Sequence, residues 1–257
     1  MFCFGGLCRN MARTKLTTSL KVTGGKPPRA EPKLPARMLK ITKARDAAKT
    51  KKEAAVLFNK GQRHEKKKEA AAAKQVYEQA ADKGHVQAMF NLGCMYDEEK
   101  EHIKEKEWFQ KAANKGHVQA MFNLGCMYRD GQGGDKDYNK AKEWFQKAAD
   151  KGHVDAMYEL GWMYRDGQGG DKDDNKAEEW FQKAADKDDV DAMVNLGNMY
   201  ETGRGVEKQD YAKAAELYLE AANKGNNTAM FNLGLLRMHG HGVEQDYSQA
   251  MAEFMRA

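Results

Sequence analysis

Serine is almost missing from this chain. Ser19 and Ser248 are the two in 257 residues, and neither sits in the glycine-flanked turn that presents a serine nucleophile. Serine catalysis is therefore excluded. Cysteine is also sparse, with four residues in so long a chain, too few for a disulfide framework. Cys94 and Cys126 occupy equivalent places in an internal repeat where later copies carry Trp162, Asn198 and Leu235, so that place is not a bridge position. A reducing compartment is the expectation. No run of 18 apolar residues exists, so no transmembrane helix is expected. The opening MFCFGGLCRN lacks a basic flank and has glycines where a signal peptide has its apolar stretch, which argues against secretion.

Charge is unevenly spread. Residues 1–75 carry 20 Lys/Arg against 5 Asp/Glu, whereas residues 76–257 carry 23 against 33. A basic arm thus precedes an acidic body. The arm suits nucleic acid, anionic membrane or acidic proteins; nucleic acid is not expected as a partner of the body.

What the sequence has in abundance is self-similarity. GHVQAMFNLGCMY occurs unchanged at 84–96 and 116–128, then returns as GHVDAMYELGWMY at 152–164 and DDVDAMVNLGNMY at 188–200, and in part as NNTAMFNLG at 226–234. Its alanine falls at Ala88, Ala120, Ala156, Ala192 and Ala229, spaced 32, 36, 36 and 37. A second block follows each time, as in EWFQKAANKG at 107–116 and ELYLEAANKG at 216–225. Both blocks read as helices. Ala120, Leu124 and Met127 or Tyr128 share one helical face, and Trp144, Phe145, Ala148 and Ala149 share another. A glycine inside the first helix (Gly93, Gly125, Gly161, Gly197, Gly234) costs about 1 kcal/mol relative to alanine. Its recurrence predicts close approach of a neighbouring helix bearing Trp or Phe. The glycines of the KG pairs (Gly84, Gly116, Gly152, Gly225) suit the left-handed residue that ends a helix. Glycine-rich loops such as DGQGGDKD join the two helices.

These motifs resemble the Sel-one-like repeat family, relatives of the tetratricopeptide repeats. The pattern A-x-x-x-L-G-x-x-Y, G-x-G-V, then a lysine–alanine helix ending in glycine is met at Ala192, Leu196, Gly197, Tyr200, Gly203, Gly205, Val206, Lys213, Ala214, Ala221, Ala222 and Gly225. The resemblance covers 86–257 and, more loosely, 50–85. It implies a non-catalytic scaffold that presents a curved surface to partner proteins. Two departures stand out. The repeat at 86–117 replaces the glycine-rich loop by DEEKEHIKEK, which predicts a tighter, charged connection. The last repeat has Arg237 in the tyrosine's place and stops at Ala257, an incomplete cap or the end of a fragment.

Residues that could carry chemistry have structural readings. His85, His117 and His153 stand one repeat apart, too far for one ion. Later repeats put Asp189 and Asn226 there, so the position is expected to be a helix N-cap. Asp166, Asp171, Asp173 and Asp174 cluster without the spacing of a calcium loop. Trp108, Trp144 and Trp180 are expected to pack, while Met89, Met121, Met157, Met193 and Met230 are expected to be partly exposed as an adaptable face. No catalytic residue, cofactor or metal is expected. For partner binding the sequence points to the slot before Leu-Gly, Asn91, Asn123, Glu159, Asn195 and Asn232, where packing needs no polar side chain; the alternative is that these residues bond the adjacent turn.

The arm has its own resemblance. ARTKLTTSLKVTGGKPPR, Ala12 to Arg29, is similar to the tail of histone three, through Ala12, Arg13, Thr14, Lys15, Thr17, Lys21, Thr23, Gly24, Gly25, Lys26, Pro28 and Arg29. Translation from Met11 with loss of the methionine would expose Ala12, the free terminus that histone-tail readers recognise. The same stretch, with no acid, six Lys/Arg and five Ser/Thr in residues 1–30, also has the composition of a mitochondrial transit peptide.

The expectation is therefore an all-α, α/α superhelical solenoid of Sel-one-like (tetratricopeptide-like) helix-turn-helix repeats over 86–257. It is preceded by a disordered basic arm (1–43) and a basic helical lead-in with a degenerate repeat (44–85). The expected function is a protein–protein interaction scaffold binding along the solenoid groove. Alternatives are a chromatin-associated adaptor and an organelle-imported scaffold, placing the chain in cytoplasm, nucleus or mitochondrion.

Overall fold

The computed structural model describes residues 36–257. The tail-mimic residues Ala12, Arg13, Thr14, Lys15, Lys21 and Lys26 lie outside the described residues. The chain divides into two units, 1–45 and 46–257. In the first unit the described residues, 36–45, are helical and exposed.

The second unit is all-α, with no strand among the described residues. After α1 (Ala36–Lys66) come α2 (Ala70–Asp82), α3 (Val86–Glu98), α4 (His102–Asn114) and α5 (Val118–Asp130). Then follow α6 (Tyr138–Ala149), α7 (Val154–Asp166), α8 (Asp174–Ala185) and α9 (Val190–Thr202). The last three are α10 (Tyr211–Asn223), α11 (Asn227–His239) and α12 (Tyr247–Arg256). Odd-numbered helices from α3 on are the first (A) helices of repeats; even-numbered ones are the second (B) helices. Each A helix packs against its own B helix and against the B helix before it. The result is a solenoid in which every repeat buries its apolar faces on its neighbours.

The core is built from one contact used six times. A Cβ placed on Gly125 would lie 2.6 Å from the ring of Phe145, and on Gly161 2.6 Å from Phe181. Gly61 with Tyr77, Gly93 with Phe109, Gly197 with Tyr218 and Gly234 with Phe254 repeat the arrangement. The close approach predicted from the glycines is therefore present, and its partner is the Phe or Tyr rather than the Trp. Burying that ring is worth about 1.5–3 kcal/mol, which exceeds the ~1 kcal/mol cost of the helical glycine. Alanines fill the rest: Ala88, Ala120, Ala156, Ala192 and Ala229 are fully buried.

The methionines correct the sequence reading. Met89, Met121, Met157, Met193 and Met230 are all buried, between 2% and 7% exposed. An A helix lies between two B helices, so its apolar arc is wider than a single face and takes in the residue beside each core alanine. The tryptophans divide: Trp144 is buried, while Trp108 and Trp180 are partly buried against the core. Each carries a lysine one turn on over its ring, Lys111, Lys147 and Lys183 at 3.7–3.9 Å.

Helix ends follow the turn chemistry. Gly116, just past α4, has φ +91°. The equivalent residue after α8 is Asp188, held at φ +68° without glycine's freedom.

If the glycine–ring contact fixes helix spacing, Gly125→Ala lowers stability by about 1–3 kcal/mol through overpacking, against the propensity gain. In a Phe145→Ala background the same change is neutral or stabilising. Urea unfolding of the four proteins gives this cycle, and Gly125→Ala as stable as the unmodified protein would remove the account.

Candidate functional site

The A helices begin on a cap that three residue types supply. The side chains of His85, His117, His153, Asp189 and Asn226 accept a hydrogen bond from the backbone N–H three residues on, at Ala88, Ala120, Ala156, Ala192 and Ala229. The histidine ladder is thus the set of N-caps expected from Asp189 and Asn226. Because His117 Nδ1 accepts, its Nε2 carries the proton and donates to Gln87 Oε1 at 3.1 Å; His153 donates likewise to Gln119. Each imidazole is also stacked on a phenylalanine of the preceding repeat, Phe58, Phe90 or Phe122, at 4.3–4.6 Å. Where the cap is Asp189 or Asn226, that phenylalanine is replaced by Tyr158 or Val194. Burial lowers the pKa of all three histidines, opposed at His153 by Asp155.

A second ladder links A helices to B helices. Tyr96, Tyr128 and Tyr164 lie between two lysines each. Lys74, Lys106 and Lys142 of the preceding B helix stand 3.5–3.8 Å from the ring centres. Lys104, Lys140 and Lys176 of the following one stand at 5.2–5.4 Å. At Tyr200 the first lysine becomes Glu178, which accepts from the tyrosine hydroxyl at 3.3 Å. Arg237, in the last tyrosine place, pairs with Glu253 at 2.7 Å.

The slot before Leu-Gly lies on the outward side of the A helices. Asn91, Asn123, Glu159, Asn195 and Asn232 are all half-buried. Asn91 and Asn123 accept from Gln87 and Gln119 of their own helices at 3.0 Å. Glu159 takes a 2.5 Å ion pair from Arg129 of the previous A helix. Asn195 accepts from Arg165 at 3.4 Å and donates to the Asp191 carbonyl. They form a ladder along the solenoid rather than one pocket. The sequence showed Cys94, Cys126, Trp162, Asn198 and Leu235 to be one repeat position without marking it for binding; they lie one turn on, share the stripe and differ in size and polarity. Asn91 and Cys94 border a groove of about 440 Å³ with Glu65, Lys68 and Glu98.

The cysteines are not poised for chemistry. Burial raises the Cys94 thiol to about 11 and the Cys126 thiol to about 12, so both stay protonated at neutral pH. No helix among the described residues is long and apolar enough to cross a membrane.

The repeats match the model of the Sel1 repeat over residues 54–85, 86–105, 106–117, 118–153, 154–189, 190–226 and 227–252. The chain belongs to the Sel1 repeat family. Such repeats generally serve as protein-interaction scaffolds and are typically non-catalytic. Among solved structures, the chain is similar to c5321, a protective antigen of uropathogenic Escherichia coli with an SLR fold. Identity is 31% and the TM-score 0.75, over 79% of this chain and 45% of that one. It is also similar to a Sel1 repeat protein of Oxalobacter formigenes, at 30% identity and TM-score 0.66, over 80% and 85% of the two chains. This Sel1 chain thus spans under half the length of the E. coli antigen. No curated protein matches it.

The capping histidines make stability depend on pH. Their folded pKa values lie below the ordinary 6.5, so the unfolded chain takes up protons first as pH falls. Stability is complete above about 6.5 and declines as the pH drops below it. The thermal midpoint should therefore fall between pH 7.5 and 5.5, and His85→Asn with His117→Asn and His153→Asn should flatten that decline. Glu105 and Asp189, whose pKa values are raised by burial, are common to both proteins, so the difference isolates the histidines.

Proposed function

We propose that this Sel1 repeat chain is a non-enzymatic scaffold that binds extended segments of partner proteins along the outward stripe of its A helices. One observation carries the reading. Positions that build the solenoid hold the same kind of residue from repeat to repeat, while the stripe changes from Cys94 and Cys126 to Trp162, Asn198 and Leu235. A surface that varies where the fold does not require it can discriminate among partners. Half-buried polar groups beside a half-buried Trp162 give the mixture of fixed hydrogen bonding and aromatic contact that peptide recognition uses. Arg129–Glu159 and Arg165–Asn195 hold the stripe rigid before binding, which lowers the entropic cost of association.

Selection of a displayed peptide library on the chain should yield binders whose affinity falls at least tenfold with Asn123→Arg or Asn195→Arg. Lys111→Glu and Lys183→Glu, on the exposed side of B helices, should leave it unchanged. Equal losses from both sets, or from neither, would show that the stripe is not the binding surface.

A second reading rests on the twelve ordered matches to the histone-three tail between Ala12 and Arg29. It makes the chain a nuclear adaptor whose arm engages tail-reader domains while the repeats hold another partner. A synthetic peptide beginning at Ala12 should bind such a domain, and the same peptide extended back to Met1 should bind far more weakly. No binding by the Ala12 peptide removes this reading and leaves an imported scaffold or a plain cytosolic one.

A further inference from the structure

Glu105 breaks the repeat in a place where nothing else does. It is the fourth residue of α4, and the fourth residue of every other B helix is a buried alanine: Ala73, Ala141, Ala177, Ala214 and Ala250. Glu105 is itself buried, 4% exposed. A carboxylate taken out of water is costly unless it is neutralised or bound to a cation. Its bonded partner is His102, whose Nδ1 lies 2.8 Å away at the first position of the same helix. Asp97, in the last turn of α3, brings a second carboxylate to the same spot, and the three donor atoms lie within 4.8 Å of one another. Two carboxylates so placed repel, and Asp97 adds to burial in raising the pKa of Glu105.

The turn between α3 and α4 does not by itself demand this cluster. The leading repeat makes the same connection, with Lys68 and Lys100 both at φ +59° and with the backbone N–H groups of Glu69 and Glu101 donating to the carbonyls of His64 and Tyr96. There the places of His102 and Glu105 are taken by Ala70 and Ala73. The match to the Sel1 repeat also divides at this point, between 105 and 106.

We propose that Asp97, His102 and Glu105 form a binding site for a divalent transition-metal ion of the zinc class, closing the one A–B connection in 86–257 that lacks a glycine-rich loop. One imidazole and two carboxylates are a donor set that such ions accept. Ligands about 2.1 Å from a tetrahedral ion stand roughly 3.4 Å apart, so the His102–Glu105 pair at 2.8 Å opens slightly while the wider separation to Asp97 closes by about 1 Å. Asp97, the exposed member, can supply that movement by side-chain rotation. Three protein ligands leave at least one coordination position for water or for a group from a partner.

The test uses the full, untagged chain stripped with chelator and titrated with zinc chloride by calorimetry, with thermal unfolding alongside. One zinc ion per chain should bind and raise the unfolding midpoint. Glu105→Ala and His102→Tyr install residues that other repeats carry at these places, so both should fold; each should weaken binding at least 100-fold and abolish the shift. Without metal, Glu105→Ala should be more stable than the unmodified chain. No stoichiometric binding, or a zinc-dependent shift that survives both substitutions, overturns the site.

Discussion

The distance between paired helices is set by a ring lying on a bare stretch of backbone. With no Cβ at Gly125, the face of α5 admits Phe145 at a depth no other residue allows, and the same holds at Gly61, Gly93, Gly161, Gly197 and Gly234. Small side chains fill the positions around the ring in most repeats, and Ala120, Ala141 and Ala148 are fully buried. Close packing of this kind is intolerant of added volume. It leaves exposed surfaces freer to change than the side chains that meet the ring, among them Trp162, which lies edge-on against Phe181.

Much of this was legible from residue patterns because periodicity reports which residues share a face. The glycine–ring contact, the helix-ending glycines and the capping role of His85, His117 and His153 all follow from comparing repeats with one another. The methionines did not, because a periodic pattern gives the centre of an apolar face and says little about its width. That width depends on having a B helix on either side, a fact of tertiary contact. The clamp of lysines on Tyr96, Tyr128 and Tyr164 was hidden for another reason: its members come from three helices and are aligned by the superposition of repeats of unequal length. The pairing of each capping histidine with a phenylalanine could have been found, since Phe58, Phe90 and Phe122 precede histidine caps while Tyr158 and Val194 precede the others.

Electrostatics within the repeats is largely local. Lys140 with Asp137 and Lys176 with Asp173 span one helical turn on the surface, where water and salt screen such pairs and they contribute little. Arg129–Glu159 differs because it joins successive A helices and is mostly buried. Removing either partner would leave a half-buried charge without its counterpart, a larger effect than losing a surface pair. The candidate stripe therefore has two roles in tension. Its polar members brace the solenoid, and whatever binds there must either leave those bonds intact or replace them.

A repeat protein supplies its own internal alignment, and three kinds of disagreement between copies carry different meanings. Histidine, aspartate and asparagine alternate at the cap, yet each accepts the same backbone hydrogen bond, so the variation is neutral with respect to the fold. Cysteine, tryptophan, asparagine and leucine alternate on the stripe, and although Cys94, Cys126 and Trp162 pack against the core, the fold demands no one residue type there. Glu105 belongs to neither class. Alanine in five other repeats shows that the site is satisfied by a methyl group, so the carboxylate is a cost to the fold. A costly departure confined to one repeat, with an imidazole and a second carboxylate gathered on it, is explained by something the other repeats do not bind.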